Sequence, residues 1–383
     1  MKAIINGKII TKNDVLYEKV LLFNEKIIDI INKSEFEILK KSENVEIIDA
    51  KDLYVSPGFI DVHIHGSGGY DAMDGTVEAL ETISKVITQN GVTGFLPTTM
   101  TMSKEKIYSA LDVMKQCMNL QLHGAKVLGA HVEGPFINKK YKGAQKEDYI
   151  KKPEYSFIEP YKNVVKIITL APEEDENFDF ISKVKQNTNI VMSIGHSDAS
   201  YEQAVDSVEK GISHATHLFN AMTPLRHREP GIVGAAFNSD IYCELIADTI
   251  HVHPAVFNII LKEKGKEKII LITDSMRAGC LRDGVSELGG QKVIVKNNSA
   301  RLEDGTLAGS ILTLNRAVKN FMENTDLKIY EAVNMASLNP AKSIGIDKER
   351  GSIEKGKYAD ITLFDNDFNV KNTIVEGRNV FKA

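Results

Sequence analysis

No stretch of the chain approaches the ~20 consecutive apolar residues of a membrane-spanning helix, which excludes a helical membrane protein. Cysteine is scarce. Cys117, Cys243 and Cys280 are an odd number at wide spacing, so neither a disulfide framework nor a thiolate zinc cluster is expected. Cys243 and Cys280 lie in apolar runs and are expected to be core thiols. Positive charge is not in excess: 47 Lys and Arg stand against 52 Asp and Glu, a net charge of −5. That balance excludes an overall basic footprint for nucleic acid or an anionic membrane. An anionic substrate would need a local positive site. The opening MKAIINGKII lacks a sustained apolar region and a small-residue cleavage site, so no secretory signal is expected and a reducing cytoplasm is the predicted location. No GxGxxG or P-loop fingerprint is present, nor an evident 20–50-residue repeat or low-complexity segment.

What is present is an ordinary globular composition, 43% hydrophobic and 26% charged over 383 residues. That length accommodates several domains, or one barrel of about 250 residues with an appendage. Residues 1–56 read as short strands with turns. Asn6-Gly7 between apolar pairs predicts a hairpin. The C-terminal stretch 351–383 holds strand-like ADITLF, VKNTIV and NVFKA. Two β-rich ends flanking a long middle predict a small β domain assembled from both termini, here 1–56 and 351–383.

The middle, 57–350, alternates apolar runs with amphipathic helical stretches. The runs are GFIDVHIH (58–65), TGFLPTTM (93–100), KVLGAHVEG (126–134), VKIITLAPE (165–173), NIVMSIGHS (189–197), ISHATHLFN (212–220), YCELIADTIHV (242–252) and KIILITDS (268–275). Between them lie stretches such as TVEALETISKVITQNG and SYEQAVDSVEKG, with a glycine near the end. Eight strands alternating with helices predict a (β/α)8 barrel, with a doubly wound open sheet as the alternative.

Reactive side chains cluster where such a barrel carries its chemistry, at the C-terminal ends of the strands. His63 and His65 end the first run, His131 and Glu133 the third, His196 the fifth, His214 and His217 the sixth, His251 and His253 the seventh, and Asp274 the eighth. Residues two apart on a strand share a face, so His63 pairs with His65, and His131 with Glu133. One buried histidine is unremarkable. Several imidazoles and two carboxylates in one barrel mouth would each cost several kcal/mol if unpaired, and a divalent metal satisfies them together. Imidazole and carboxylate without thiolate suit Zn, Fe, Mn, Co or Ni. Asp274, after four apolar residues, is placed to take a proton from a metal-activated water and later deliver it to a leaving group.

HxH on the first strand, His on the fifth and sixth and Asp on the eighth resemble the amidohydrolase superfamily. Finer motifs are HVEGPF (131–136), KGAQ (142–145), GHSDA (195–199), THLFNAM (216–222), REPGIVGAA (228–236), ADTIHV (247–252), LITDSM (271–276) and LAGS (307–310). These resemble the N-acetylglucosamine-6-phosphate deacetylase family over nearly the whole chain. The resemblance implies a homodimeric enzyme of amino-sugar catabolism and cell-wall sugar recycling, built as a barrel plus a small β-sandwich. It implies a primary metal on Glu133, His196 and His217, and Asp274 as the catalytic acid and base. It implies substrate contacts from Asn220, Ala221, Arg228 and His251 to the sugar phosphate, and from Ala144 and the loop Leu307, Ala308 and Gly309 over the sugar. Phosphate contacts can be shared across the dimer in such relatives. Some family members lack the HxH pair and keep one metal. This chain has it, so a second metal on His63, His65 and a shared Glu133 is expected, one or two per subunit in all. Those one-metal members carry histidine at the position of Gln145, which here is expected to be a secondary donor. The sequence alone does not choose between His251 and His253; register in the family motif chooses His251. A cyclic amidase or deaminase of the same superfamily is the alternative; these often use a carboxylated lysine near the end of the fourth strand, whereas here Lys166 stands at its start.

Overall fold

The computed structural model describes residues 1–383. All eight apolar runs form strands: Phe59–Ile64, Val92–Pro97, Ala130–Glu133, Val165–Leu170, Val191–Ile194, His214–Ala215, Tyr242–Ile246 and Ile269–Ile272. They are called here the first to eighth parallel strands. The third to eighth form one six-stranded sheet in chain order. The first and second form a second parallel sheet with the short strand Lys126–Val127, which precedes the third. Parallel bridges Thr98–His131 and Ile64–Ser275 tie the edges of the two sheets to each other. The result is an α/β fold in which the parallel strands curl. Ile60, Val62, Leu96, Ile167, Ile246, Ile270 and Ile272 form one buried cluster, joined by Ala341 of the helix Leu338–Ser343.

The intervening helices follow from local sequence. In Val77–Ile87, Thr76 accepts the Ala79 N–H at the start, and the apolar residues Ala79, Leu80, Ile83 and Ile87 repeat at helical spacing on the buried face. In Tyr201–Lys210, Ser200 and Gln203 cap each other's backbone and Gly211 ends the helix. The larger core lies between such helices and the strands, with Phe95, Ile107, Leu111, Val132, Ile168, Ile181 and Leu245 among its members.

Strands from both ends of the chain share one sheet, in the order Arg378–Lys382, Val370–Val375, Ile361–Phe364, Tyr54–Pro57, Lys8–Ile10, Val15–Leu16. A four-stranded sheet, Ile27–Asn32, Lys19–Phe23, Lys2–Ile5, Glu46–Asp49, completes this region. A common cluster that includes Ile4, Ile9, Leu21, Phe23, Val55, Ile361 and Ile374 draws on both sheets.

Four local features differ from or add to what the sequence suggests. The strands on either side of Asn6-Gly7 do not pair: Lys2–Ile5 pairs with Lys19–Phe23 and Glu46–Asp49, and Lys8–Ile10 with Val15–Leu16 and Tyr54–Pro57. Asn6 takes φ +59 and the chain passes there from one sheet to the other. Gly7 is required by close approach, since a Cβ would lie 2.4 Å from Val55 Cγ2. A local turn signal does not choose the partner, because pairing is settled by which apolar face finds the shared core. Second, residues 1–56 include a helix, Lys33–Ser42, nucleated by a capping box between Asn32 and Glu35. Third, the stretch 284–302 is a three-stranded antiparallel sheet, Gly284–Leu288, Gln291–Lys296 and Ser299–Leu302. Its alternating inner residues Leu288, Val293, Val295 and Ala300 pack on Met100, Met276, Ala278 and Ala308. Fourth, Cys243 is buried but Cys280 is exposed, at φ +62, with its sulfur 3.2 Å from Asn90 Nδ2.

Candidate metal and active site

The parallel strands deliver the predicted residues to one place. Glu133, at the end of the third strand, is the hub and is 2% exposed. Its Oε1 lies 3.1 Å from His196 Nε2, 3.2 Å from His217 Nε2 and 3.4 Å from His63 Nε2. Its Oε2 lies 3.3 Å from His65 Nε2 and accepts a 2.6 Å hydrogen bond from Gln145 Nε2. One carboxylate thus faces two sets of imidazoles with its two oxygens. Asp274 Oδ1 closes the far side, 3.3 Å from His65 Nε2 and 3.6 Å from His63 Nε2.

The donor set fits a divalent cation on its own geometry. His196 Nε2 and His217 Nε2 face each other at 3.1 Å while both face the same carboxylate oxygen, an arrangement that shared protons satisfy poorly. His63 Nε2 is fully buried with no hydrogen-bond partner. Outward nitrogens are already held: His196 Nδ1 by the Tyr141 carbonyl at 2.8 Å, His217 Nδ1 by the Asn220 carbonyl at 3.1 Å, His65 Nδ1 by the Thr98 carbonyl at 3.2 Å. Each such bond puts the N–H outward and leaves Nε2 as a ligand atom. Two sets of potential ligands result, Glu133 with His196 and His217, and Glu133 with His63 and His65.

Charge explains the titration of the protein's own groups. Burial opposes the protonation of His65, yet hydrogen bonds to Asp274 and Glu133 raise it to about 10. Burial likewise opposes His63, and Glu133, Asp274 and Glu244 together hold it well above its ordinary value. Burial would raise the Glu133 carboxyl, but His196 and His63 hold it well below the usual carboxylate range. Asp274 is held low against burial by His63 and His65. His131, one layer down, is pushed to about 3 by burial and by the His63 charge.

Backbone strain concentrates here. His196, His217 and Asp274 take φ of +50, +31 and +49, and Ala221 and Thr249 +49 and +70. A non-glycine residue in this region costs about 1–3 kcal/mol and persists where surrounding structure imposes it.

Above the hub a cavity of about 320 Å³ opens. Its walls include His65, Glu133, His196, His217 and Asp274, together with Ala144, Gln145, Asn220, Ala221, His251, Leu307 and Gly309. Gln145 is fixed, its Oε1 accepting the Thr101 N–H at 2.8 Å. His251 is oriented by Asp248, whose Oδ2 lies 2.6 Å from its Nδ1. His253 is exposed and accepts the Ala255 N–H at 3.2 Å, so His251 is the one of the pair at the site. Ala308 is fully buried behind the loop, in the apolar cluster under the antiparallel sheet, and does not line the cavity. Arg228 is not brought to this cavity. It is exposed, lies 2.7 Å from His227 Nε2, and lines a neighbouring cavity that shares only Lys140 and Tyr141 with the first.

Sequence reasoning missed four groups. Lys140 is the only Lys or Arg on the cavity wall, and pairs with Asp198 at 2.8 Å. Leu288 enters from the unpredicted antiparallel sheet. Asp61, buried and raised to about 7 chiefly by burial, accepts from Thr273 Oγ1 at 2.6 Å and ties the first strand to the residue before Asp274. Glu244 is fully buried beside His63. The last two carried a signal: a carboxylate inside an otherwise apolar strand. Lys166 lies in the fourth strand, with Ile167 and not Lys166 opposite His131, and is absent from the cavity wall.

Residues 54–380 match the amidohydrolase family. The chain is 40% identical to N-acetylglucosamine-6-phosphate deacetylase of Bacillus subtilis over 381 residues, 97% of this chain and 95% of the relative. The crystal structure of the N-acetylglucosamine-6-phosphate deacetylase from Pasteurella multocida superposes with a TM-score of 0.93 at 35% identity, covering 99% of each chain. That from Thermotoga maritima superposes at 0.89 with 34% identity, covering 100% of each.

Proposed function

The chain belongs to the amidohydrolase family, and on that premise we propose that it hydrolyses the acetamide of N-acetylglucosamine 6-phosphate to glucosamine 6-phosphate and acetate. The observation that carries this reading is the Glu133 hub: one carboxylate facing two imidazole sets beneath a cavity, with Asp274 across from it. Full-length similarity to deacetylases of that sugar phosphate supplies the substrate. We read the strands and the bridges at their edges as a (β/α)8 barrel over 57–350. The two sheets built from residues 1–56 and 351–383 are read as a small β-sandwich domain.

Glu133, His196 and His217 would hold one divalent cation, and His63, His65 and the same Glu133 a second. Such a cation supplies Lewis acidity and lowers the pKa of a water it binds. The protein's own groups do the rest. Asp274 is ionised at neutral pH, so Oδ1 accepts the proton of the attacking water and then gives it to the departing amine nitrogen. Gln145 keeps its amide on Glu133 Oε2, which holds the hub in register and makes it a secondary donor toward the acetamide. Ala144, Leu307 and Gly309 close over the sugar and exclude water. Asn220, Ala221 and His251 are assigned to the sugar phosphate, remote binding that positions the acetamide. Arg228, outside this cavity, is assigned to the phosphate of a partner subunit's site in a cytoplasmic homodimer. The absence of a lysine from the cavity end of the fourth strand weighs against a cyclic amidase.

The test is acetate release by metal-loaded protein from N-acetylglucosamine 6-phosphate, from its galactosamine epimer and from the unphosphorylated sugar, alongside metal content per subunit. Turnover of the first, with much weaker turnover of the unphosphorylated sugar, is expected. Equal rates on the phosphorylated and unphosphorylated sugars, or none on either, would sink the assignment.

A further inference from the structure

Glu244 sits fully buried in the seventh parallel strand, between the apolar residues Cys243 and Leu245, and does not line the cavity. Its Oε2 lies 3.0 Å from His63 Nδ1 and accepts the His217 backbone N–H at 3.3 Å. Its Oε1 has no hydrogen-bond partner, and His214 Nδ1 is 3.5 Å away. A buried carboxylate with one oxygen unused is a poor solution to packing alone. Both of its close contacts are instead to histidines assigned to the metal site.

His63, His131 and Glu244 could together be a further metal site, since their ligand atoms come together. The hydrogen bonds argue otherwise. His131 already uses both nitrogens, Nδ1 with the Val62 carbonyl at 3.0 Å and Nε2 with Thr169 Oγ1 at 2.7 Å. The trio is a hydrogen-bonded support beneath the hub.

We propose that Glu244 is the positioning residue for His63. By accepting the His63 Nδ1–H, it fixes the ring so that Nε2, which has no hydrogen-bond partner, is presented to Glu133 Oε1 at 3.4 Å and Asp274 Oδ1 at 3.6 Å. The other nitrogens at the hub are oriented by backbone carbonyls; His63 alone leans on a carboxylate, which makes the stronger, charge-assisted bond and raises the basicity of its ligand nitrogen. Glu244 touches the ring of His63 but only the backbone N–H of His217, whose ring is held by the Asn220 carbonyl, so it acts chiefly on the cation held by His63 and His65. The inference rests on the reading of the site as a two-cation centre.

The experiment measures zinc per subunit, and the affinity for each ion by chelator competition, on full-length protein. The variants are Glu244→Ala, Glu244→Gln, the double variant His63→Ala with His65→Ala, and Glu244→Ala added to that double variant. Wild type is expected to bind two zinc ions and the double histidine variant one. Glu244→Ala should weaken one of the two by about 10–100-fold and spare the other. Added to the double histidine variant, it should change nothing further. Glu244→Gln keeps a neutral acceptor and should weaken the same ion by less, so it decides the matter if Glu244→Ala does not fold. Unchanged affinity for both ions in Glu244→Ala or, failing it, Glu244→Gln would overturn the proposal. So would equal weakening of both, or a further loss in the double histidine background. Wild type that binds no zinc would sink the metal-site reading itself, a distinct result from wild type that keeps two ions after Glu244 is replaced.

Discussion

Asp274 differs from the other carboxylates of the site in having no hydrogen-bonding neighbour except the imidazoles it faces, and in taking a strained φ of +49 that aims it across the hub. A group that must both take and return a proton is best served by such freedom. Glu133, by contrast, is held by Gln145 and four histidines. Asp274→Asn is isosteric, and asparagine tolerates the same left-handed backbone. It is expected to lower kcat by about 10²–10⁴-fold, the usual worth of general acid–base catalysis, with KM little changed. Steady-state acetate release checks this, and full turnover would refute the role. The thiols give a second residue-level prediction. Burial pushes Cys243 up to about 12 and Cys117 up to about 11, so at pH 8 both are neutral thiols and poor nucleophiles. Cys280 is exposed. One thiol per chain should react rapidly with a disulfide reagent at pH 8 in the native protein, and three after denaturation. Raising the pH toward 9 should leave Cys117 and Cys243 silent until the chain unfolds.

Elements carry information that single residues do not. The glycine that ends the HIH run looks like a mere strand terminator in sequence. In the fold, a Cβ on Gly66 would lie 2.2 Å from the Tyr70 carbonyl oxygen and 2.9 Å from the Arg277 backbone nitrogen. The Gly66 N–H donates to the Ser275 carbonyl at 2.9 Å, beside the His65 N–H that does the same. Gly66 thus lets the loop after the first strand approach the loop after the eighth, and holds His65 against Asp274. Gly66→Ala is expected to cost at least the ~1–3 kcal/mol of ordinary overpacking, because backbone atoms cannot move aside as a side chain would. Urea unfolding measures that cost, and a change under ~0.5 kcal/mol would contradict the close-approach account. The same contrast shows what was legible in the sequence. Strand periodicity located all eight parallel strands, and the polar residues at their ends located the hub, because both are local signals. Glu244 and Asp61 were passed over because a carboxylate inside an apolar strand acquires its meaning only from the strand beside it. The antiparallel sheet at 284–302 was missed because its outer face carries Val285 and Ile294, both exposed, which blurs its alternation. Asn6-Gly7 was misread for the opposite reason: the local turn signal was strong, and pairing is a tertiary choice.

At the scale of the whole molecule, the group set apart from the hub is Arg228. Every other residue assigned to substrate lines the hub cavity or backs it; Arg228 is exposed and lines a separate cavity on the far side of Lys140 and Tyr141. Within one chain the cavity wall offers a single lysine or arginine, Lys140, already paired with Asp198. A phosphate dianion binds best to a planar, bidentate guanidinium, so one chain alone is under-equipped for its substrate. An arginine supplied by a second copy would complete the site, and then each active site would need two chains. The consequence can be tested by mixing. In the proposed homodimer, the Arg228→Ala and Asp274→Asn variants should each be nearly inactive on the phosphorylated sugar, the first through KM and the second through kcat. After subunit exchange, a mixed dimer holds one site with an intact Asp274 and an intact partner Arg228. Activity should therefore reappear, approaching a quarter of wild type when equal amounts of the two chains re-pair at random, since about half the dimers are mixed and each has one complete site. If Arg228 instead serves its own chain's site, no mixed dimer contains a complete site, and mixing restores nothing.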